Sequence, residues 1–176
     1  LDACVLYPTV MREVLIGVAA EGLFEPLWSE RILEEWARAA RKIGPTGETQ
    51  ARGERALLRA DWPKASVRGG EGLEARLHLP DENDIHVLGA AIAGSADAIV
   101  TLNAKDFPRA ALAEEGLRRV APDEVLMVFW ARAPIAVEDV VRKVHMQAET
   151  MMGAPIAVRA LMKKARLPRL GKALAG

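Results

Sequence analysis

Four short segments of this 176-residue chain each set acidic or amide side chains against an apolar run. They are Leu1-Asp2-Ala3-Cys4-Val5-Leu6-Tyr7-Pro8, Ile32-Leu33-Glu34-Glu35-Trp36, Asp81-Glu82-Asn83-Asp84-Ile85-His86-Val87-Leu88, and Val100-Thr101-Leu102-Asn103-Ala104-Lys105-Asp106-Phe107-Pro108. Three or four carboxylates drawn from such distant segments to one point would repel one another unless a cation sat among them. Oxygen ligands of this kind suit Mg²⁺ or Mn²⁺, and sites so built commonly hydrolyse phosphodiesters.

The elements that must carry these groups can be read from periodicity. Residues 1–6 read as the end of a buried strand, and Pro8-Thr9 open a helix with Val10, Val14, Leu15 and Val18 at helical spacing. Ser29 is a good N-cap for a helix running to Ile43, where Gly44-Pro45 stop it. A further helix is expected over 47–60, a turn at Gly69-Gly70, and a helix from Glu82 to Ala93 closed by Gly94. Ala98-Ile99-Val100-Thr101 and Arg119-Val120-Ala121 read as short strands, the second leading through Pro122 into a helix to about Arg132. Strands alternating with helices predict an α/β fold, a parallel sheet with helices on both faces. Ligands in such folds lie beyond the carboxyl ends of the strands. Asp2 and Asn103–Asp106 fall near those ends. From Pro134 onward two helical stretches, 135–152 and 155–166, follow with no strand between them. The expected division is therefore a domain over 1–133 and a helical extension over 134–176.

Each acid also has an ordinary structural use. At 100° per residue, Ile32, Leu33, Trp36, Ala39, Ala40 and Ile43 form one apolar stripe. Glu34 falls nearly opposite it, in solvent, whereas Glu35 falls at its border and is the better site candidate. Asp81 suits an N-cap, and an acid three residues later imitates a capping box. Asp84 also flanks the apolar face of Ile85, Leu88 and Ile92, so Asp81 is assigned to capping and Asp84 to the site. His86 is expected to point outward as a surface histidine. Asp2, inside an apolar strand, would be costly without partners. Asn103 and Asp106 supply two oxygen donors directly after a buried strand.

Composition narrows the classes without choosing among them. Hydrophobic residues make up 51% and aromatics 5%, so Ala, Leu, Val and Ile do most of the packing. The 24 basic residues balance the 24 acidic ones, so distribution matters more than the total. Cys4 is the single cysteine, which excludes an internal disulfide and a cysteine-rich zinc site, and a lone thiol favours the cytoplasm. No apolar run approaches the ~20 residues of a membrane span. Thr150–Gly176 carries Arg159, Lys163, Lys164, Arg166, Arg169 and Lys172 and no acid.

In their order and spacing these segments resemble the PIN-domain nucleases, of the sort found as the toxin in VapC-type toxin–antitoxin pairs. The likeness extends over about residues 1–130. It runs through the opening Leu-Asp-Ala-Cys-Val-Leu-Tyr-Pro, Ile-Leu-Glu-Glu-Trp, Asp-Glu-Asn-Asp-Ile-His-Val-Leu-Gly-Ala-Ala-Ile, and Ala-Asp-Ala-Ile-Val-Thr-Leu-Asn-Ala-Lys-Asp-Phe-Pro. The resemblance implies a PIN-like three-layer α/β/α fold with a central parallel sheet. It puts the family's acids on Asp2, Glu35 and Asp84, the last in an Asp-x-x-x-Leu-x-x-Ala pattern completed by Leu88 and Ala91. Many relatives have Thr-x-Asp where this chain has Thr101-Leu102-Asn103, with Asp106 three residues on. The number of metals, and whether Asp106 supplies the fourth carboxylate, stay open. The tail resembles the extension of one PIN subgroup.

The implied chemistry is metal-dependent hydrolysis of RNA. Asp2, Asp84 and Asp106 would hold Mg²⁺ or Mn²⁺, Glu35 would act as ligand or water-orienting group, and Thr101 and Asn103 would give polar support. The implied partners are an RNA substrate, a cognate antitoxin protein and a second copy of the chain. Cations for the RNA approach are sought in Arg38, Arg41 and Lys42 beyond Glu35, and in Lys163, Lys164 and Arg166 of the tail. A metal-free ribonuclease would want paired histidines, which the scattered His78, His86 and His145 do not provide. Three readings compete: a PIN-like scaffold or regulator that has lost activity, favoured by Asn103; a phosphate-receiver domain, which lacks its mid-chain aspartate here; and a nuclease acting on DNA.

Overall fold

The helices expected from capping and periodicity form, and several short ones join them. The structure, a computed structural model, describes residues 1–175. In chain order the α-helices begin with α1 (Ala3–Leu6), α2 (Thr9–Ala20), α3 (Glu30–Ala39), α4 (Gly47–Asp61), α5 (Glu71–Glu74) and α6 (Ile85–Ala93). They continue with α7 (Arg109–Glu114), α8 (Pro122–Arg132), α9 (Pro134–Met152), α10 (Val158–Lys164) and α11 (Pro168–Ala173). Four strands, β1 (Trp28–Ser29), β2 (Ser66–Val67), β3 (Ala98–Val100) and β4 (Arg118–Val120), are very short. Among the described residues no helix is long and apolar enough to cross a membrane.

Backbone contacts group these elements into two units. One comprises Leu1–Tyr7 and Pro26–Val120, the other Pro8–Glu25 and the chain from Ala121 onward. The grouping differs from a break at 133/134, because α2 and α8 associate with the C-terminal helices.

In the first unit β1 pairs parallel with β2, and β3 parallel with β4 in the register Ala98↔Arg118, Ile99↔Arg119, Val100↔Val120. The opening residues join the two ladders: Leu1 N donates to Leu27 O at 2.7 Å, and Asp2 N donates to Val100 O at 3.1 Å. Only these two residues are extended, which corrects the expectation of a strand over 1–6. The cause is Asp2 itself, whose carboxylate accepts from the Cys4 amide at 3.4 Å and turns the chain into α1. Val5 and Leu6 of that turn are fully buried.

Ser29 caps α3 by accepting from the Ile32 amide at 3.2 Å. Ile32, Leu33, Trp36 and Ala37 are buried on this helix, but Ile43, expected on the same stripe, is 65% exposed. After Ala39 the helix tightens into a 3₁₀ turn over Ala40–Ile43. At three residues per turn rather than 3.6, the stripe rotates off the core.

Helix α6 differs in kind. Every residue from Ile85 to Ala93 except His86 is apolar or glycine, and a helix apolar all round is a buried one. Gly70, in a positive-φ conformation (110°), lies so close to α6 that a Cβ there would meet the Gly89 carbonyl carbon at 2.9 Å. The turn expected at Gly69-Gly70 is thus packed against the helix.

In the second unit α2 buries Met11, Val14, Leu15 and Val18, and α9 buries Val137, Val140, Val141 and Val144. The two helices approach closely at Gly17, where a Cβ would lie 2.5 Å from Val140 Cγ1. Phe24 stacks on Phe129 with ring centroids 5.3 Å apart. Asp123, buried on α8, accepts from the amides of Arg169 at 2.8 Å and Leu170 at 3.0 Å, closing the first turn of α11.

Candidate metal centre

Two segments of the first unit bring three carboxylates together where β3 ends. One oxygen each from Asp81, Asp84 and Asp106 lie within 4.8 Å of one another, all three residues half-buried. Asp84 closes the 3₁₀ turn Glu82–Asp84 that leads into α6, and Asp106 lies on the loop after β3. Arg119 of β4 steadies that loop by donating to Phe107 O at 3.0 Å and to Ala104 O. Asn103 Nδ2 reaches between the acids, donating to Asp84 Oδ2 at 3.4 Å and, more closely, to Asp106 Oδ2.

Asp2 adjoins this group from a more enclosed position, at 6% exposure. Thr101 Oγ1 donates to its Oδ2 at 2.6 Å, and the Cys4 thiol donates to the same oxygen at 3.0 Å. Those donors answer the cost of burying a carboxylate. Thr101 Oγ1 also accepts from Asn103 N at 2.9 Å, and Cys4 Sγ accepts from Leu102 N at 3.2 Å. The loop carrying Asn103 is thereby tied to the aspartate it follows in space. Burial first, and then the charge of Asp2, push the Cys4 thiol up to about 12, so it stays protonated and donating.

The electrostatic strain concentrates on Asp84. Its carboxyl is pushed up from 3.8 to about 6, first by burial and then by the charges of Asp2, Asp81, Asp106 and Glu35. Asp2 and Glu35 thus lie within electrostatic reach of Asp84, although neither belongs to the tight group of three oxygens. A divalent cation is the group this all-oxygen donor set suits, because it would relieve a repulsion that the side chains alone do not. Asn103 offers an amide whose oxygen can serve as a neutral ligand after a flip.

Several expectations need correction here. Asp81 does cap, accepting from Asn83 N and Nδ2 at 2.9 Å each, yet its carboxylate is also one of the three clustered acids. A side chain at a helix start can do both, and spacing alone could not separate the roles. His86 is not a surface residue: it is 4% exposed, with Nε2 placed 2.9 Å from Glu35 Oε1. The uniformly apolar composition of α6, which leaves no outward face, was the signal for it. Glu34 does not stand free in solvent but sits under Arg52, Arg55 and Arg38. Arg52 and then Arg55 hold its carboxyl down at about 2.

Two of the six cations sought for the RNA approach are paired with acids. Arg38 pairs with Glu34 at 3.0 Å, and Arg41 pairs with Glu48. Arg41, Arg52, Glu48 and Thr49 line an open cavity of about 620 Å³ whose two arginines already share Glu48. Lys42 is exposed, while Lys163, Lys164 and Arg166 belong to the second unit.

A domain-family model described as PIN domain matches residues 1–105, more than half of the chain and the whole of the acid cluster except Asp106. The chain belongs to the PIN domain family. No curated protein and no solved structure matches it. PIN domains are usually metal-dependent nucleases, and an acidic cluster able to hold a metal ion is present in this chain.

Proposed function

We propose that this chain is a metal-dependent endoribonuclease, the toxin of a toxin–antitoxin pair, working through Asp2, Glu35, Asp84 and Asp106. The observation that supports it most is the clustering of Asp84 and Asp106 oxygens, with Asp2 and Glu35 near enough to raise the Asp84 carboxyl. Asp84, Asp106 and Asp2 would hold Mg²⁺ or Mn²⁺, with Asp81 as an added carboxylate and Asn103 as a neutral donor. A bound ion would supply a water of lowered pKa and positive charge against the departing oxygen.

The chain's own groups do the rest. Glu35 orients the attacking water and takes its proton. The water oxygen bonds to phosphorus, the P–O3′ bond breaks, and the 3′-oxygen leaves as a hydroxyl after taking a proton from solvent water. The products are a 5′-phosphate and a 3′-hydroxyl. Thr101 keeps the Asp2 carboxylate fixed throughout through its 2.6 Å hydrogen bond. In this reading the ladders joined through residues 1 and 2 form the central parallel sheet of a three-layer α/β/α domain. The setting is cytoplasmic, with an antitoxin protein and a second copy of the chain as partners.

A second reading, an inactive PIN-like binding module, is favoured by Asn103 standing where many relatives carry an acid. Incubating the purified chain with matched RNA and DNA strands, with Mn²⁺ or with EDTA, separates these readings. Cleavage of RNA that requires metal and disappears in Asp84→Asn is the expected result. Cleavage of DNA alone moves the substrate, and cleavage of neither under any divalent ion supports the binding module. Growth arrest on induced expression, absent for Asp84→Asn, tests the toxin role.

A further inference from the structure

His86 is a polar side chain in the first turn of a helix that is otherwise apolar, two residues beyond Asp84. Its side chain is 3% exposed, and neither ring nitrogen has a well-directed hydrogen bond among the described residues. Nε2 nevertheless stands 2.9 Å from Glu35 Oε1, across from α6 on α3. The distance is that of an ion pair or hydrogen bond, while the angle falls short of one. Rotation of the ring or the carboxylate restores the angle, whereas no rotation supplies a second partner to a buried imidazole.

Burial alone does not fix the Glu35 carboxylate. Its side chain is 38% exposed, and the cation beside it is Arg31, whose Nε is 3.5 Å from the same oxygen. Arg31 is itself half exposed and also turns toward Glu74 and the Asn83 carbonyl. An exposed helical pair of this kind contributes little and leaves the carboxylate several rotamers. A ring clamped by core packing, in contrast, offers one fixed donor, and a carboxylate can only accept from it.

We infer that His86 is a positioning residue that holds the Glu35 carboxylate toward the acid cluster by donating from Nε2. The assignment rests on Glu35 being the water-orienting group of the nuclease reading. It requires that α6 carry both a cluster acid, Asp84, at its entrance and the residue that sets the distance to α3. Cluster and carboxylate are then registered by one rigid helix instead of by two independent side chains.

The test uses the full-length chain with His86→Gln, His86→Asn and Glu35→Gln, singly and combined. The Gln amide nitrogen reaches about as far as Nε2, and the Asn amide stops near Nδ1. Kinetics on an RNA oligonucleotide give kcat and KM separately, Mn²⁺ affinity is followed by the EPR signal of the free ion, and urea midpoints report folding. Expected is a loss of about tenfold in kcat for His86→Asn with KM little changed, as for removal of a group that orients a site residue. His86→Gln should recover most of it, and His86→Asn should cost nothing further in the Glu35→Gln background. Equal kcat for Asn and Gln variants of unchanged urea midpoint, or an independent tenfold loss on top of Glu35→Gln, overturns the inference. Should the wild-type chain cleave no RNA, the nuclease reading fails separately. The clamp is then read in the urea midpoints, where a loss for His86→Asn as large in the Glu35→Gln background as in wild type overturns it.

Discussion

Replacing Asp84 by Asn makes the metal-free protein more stable and removes its response to metal. The rise of the Asp84 carboxyl from 3.8 to about 6 would correspond to about 3 kcal/mol for a group sealed from water. Asp84 is only half-buried, so solvent screening reduces this to about 1 kcal/mol. The direction follows from the raised carboxyl. The fold favours the protonated form, so the favourable contribution is complete below 3.8 and is lost as pH climbs through about 6. At pH 7.5 the metal-free chain carries the full cost of the charge, and Asn, which keeps an acceptor for Asn103, does not. Thermal unfolding in EDTA at pH 7.5 should therefore give Asp84→Asn a midpoint higher by about 2–4 °C, shrinking below pH 5. With Mn²⁺ at a hundred times its dissociation constant, the wild-type chain should gain about 2.7 kcal/mol and the variant little of it. A variant no more stable than wild type in EDTA, with the Mn²⁺ shift retained, would refute both the electrostatic strain and the assignment of Asp84.

Three further outcomes are expected. Glu35→Gln should lower metal-dependent RNA cleavage by about a hundredfold or more, whereas Glu34→Gln should leave cleavage intact and lower the thermal midpoint, since Glu34 holds α4 through Arg52 and Arg55; equal activity of the two variants sinks the assignment of Glu35. Glu34 and Glu48, each held at about 2 by arginines, stabilise the fold above the ordinary 4.5 and lose that contribution as pH falls toward 2. Urea midpoints between pH 5 and 2 should accordingly drop less steeply for Glu48→Gln than for wild type. Replacing Lys163, Lys164 and Arg166 by Gln should weaken binding of unrelated RNAs alike and flatten the log–log salt dependence by roughly 0.7 per lost phosphate contact; an unchanged slope with lost antitoxin binding makes the tail a protein-docking element.

What the sequence revealed divides along a physical line. Local signals were sound: Ser29 caps α3, Pro122 starts α8, and the stripe Ile32, Leu33, Trp36 is buried, because these depend on neighbours a few residues away. The stripe failed at Ile43, where a change of helical pitch leaves no mark in composition. Short helices such as α5, α7 and α11 span too few turns for a period to show. Asp84 and Asp106 could be named from their elements. The arginines over Glu34 come from 18 and 21 residues further on, and no spacing rule along one helix reports partners on another. Asp2 was recognisable as a buried acid in need of partners, but its actual partners, Thr101 and Cys4, depend on how the first two residues join the ladders.

The second unit bears on how this chain can be shortened or grown. Residues 8–25 lie inside the stretch that matches the family, yet they pack with helices that follow it. A chain cut after residue 133 would leave the faces of Met11, Val14, Leu15 and Val18 without α9, and would strip the buried Asp123 carboxylate of both its amide donors. The C-terminal helices thus share a core with a segment of the family region. Recombination or truncation that preserves every acid of the site would still fail if it separated α2 from α9.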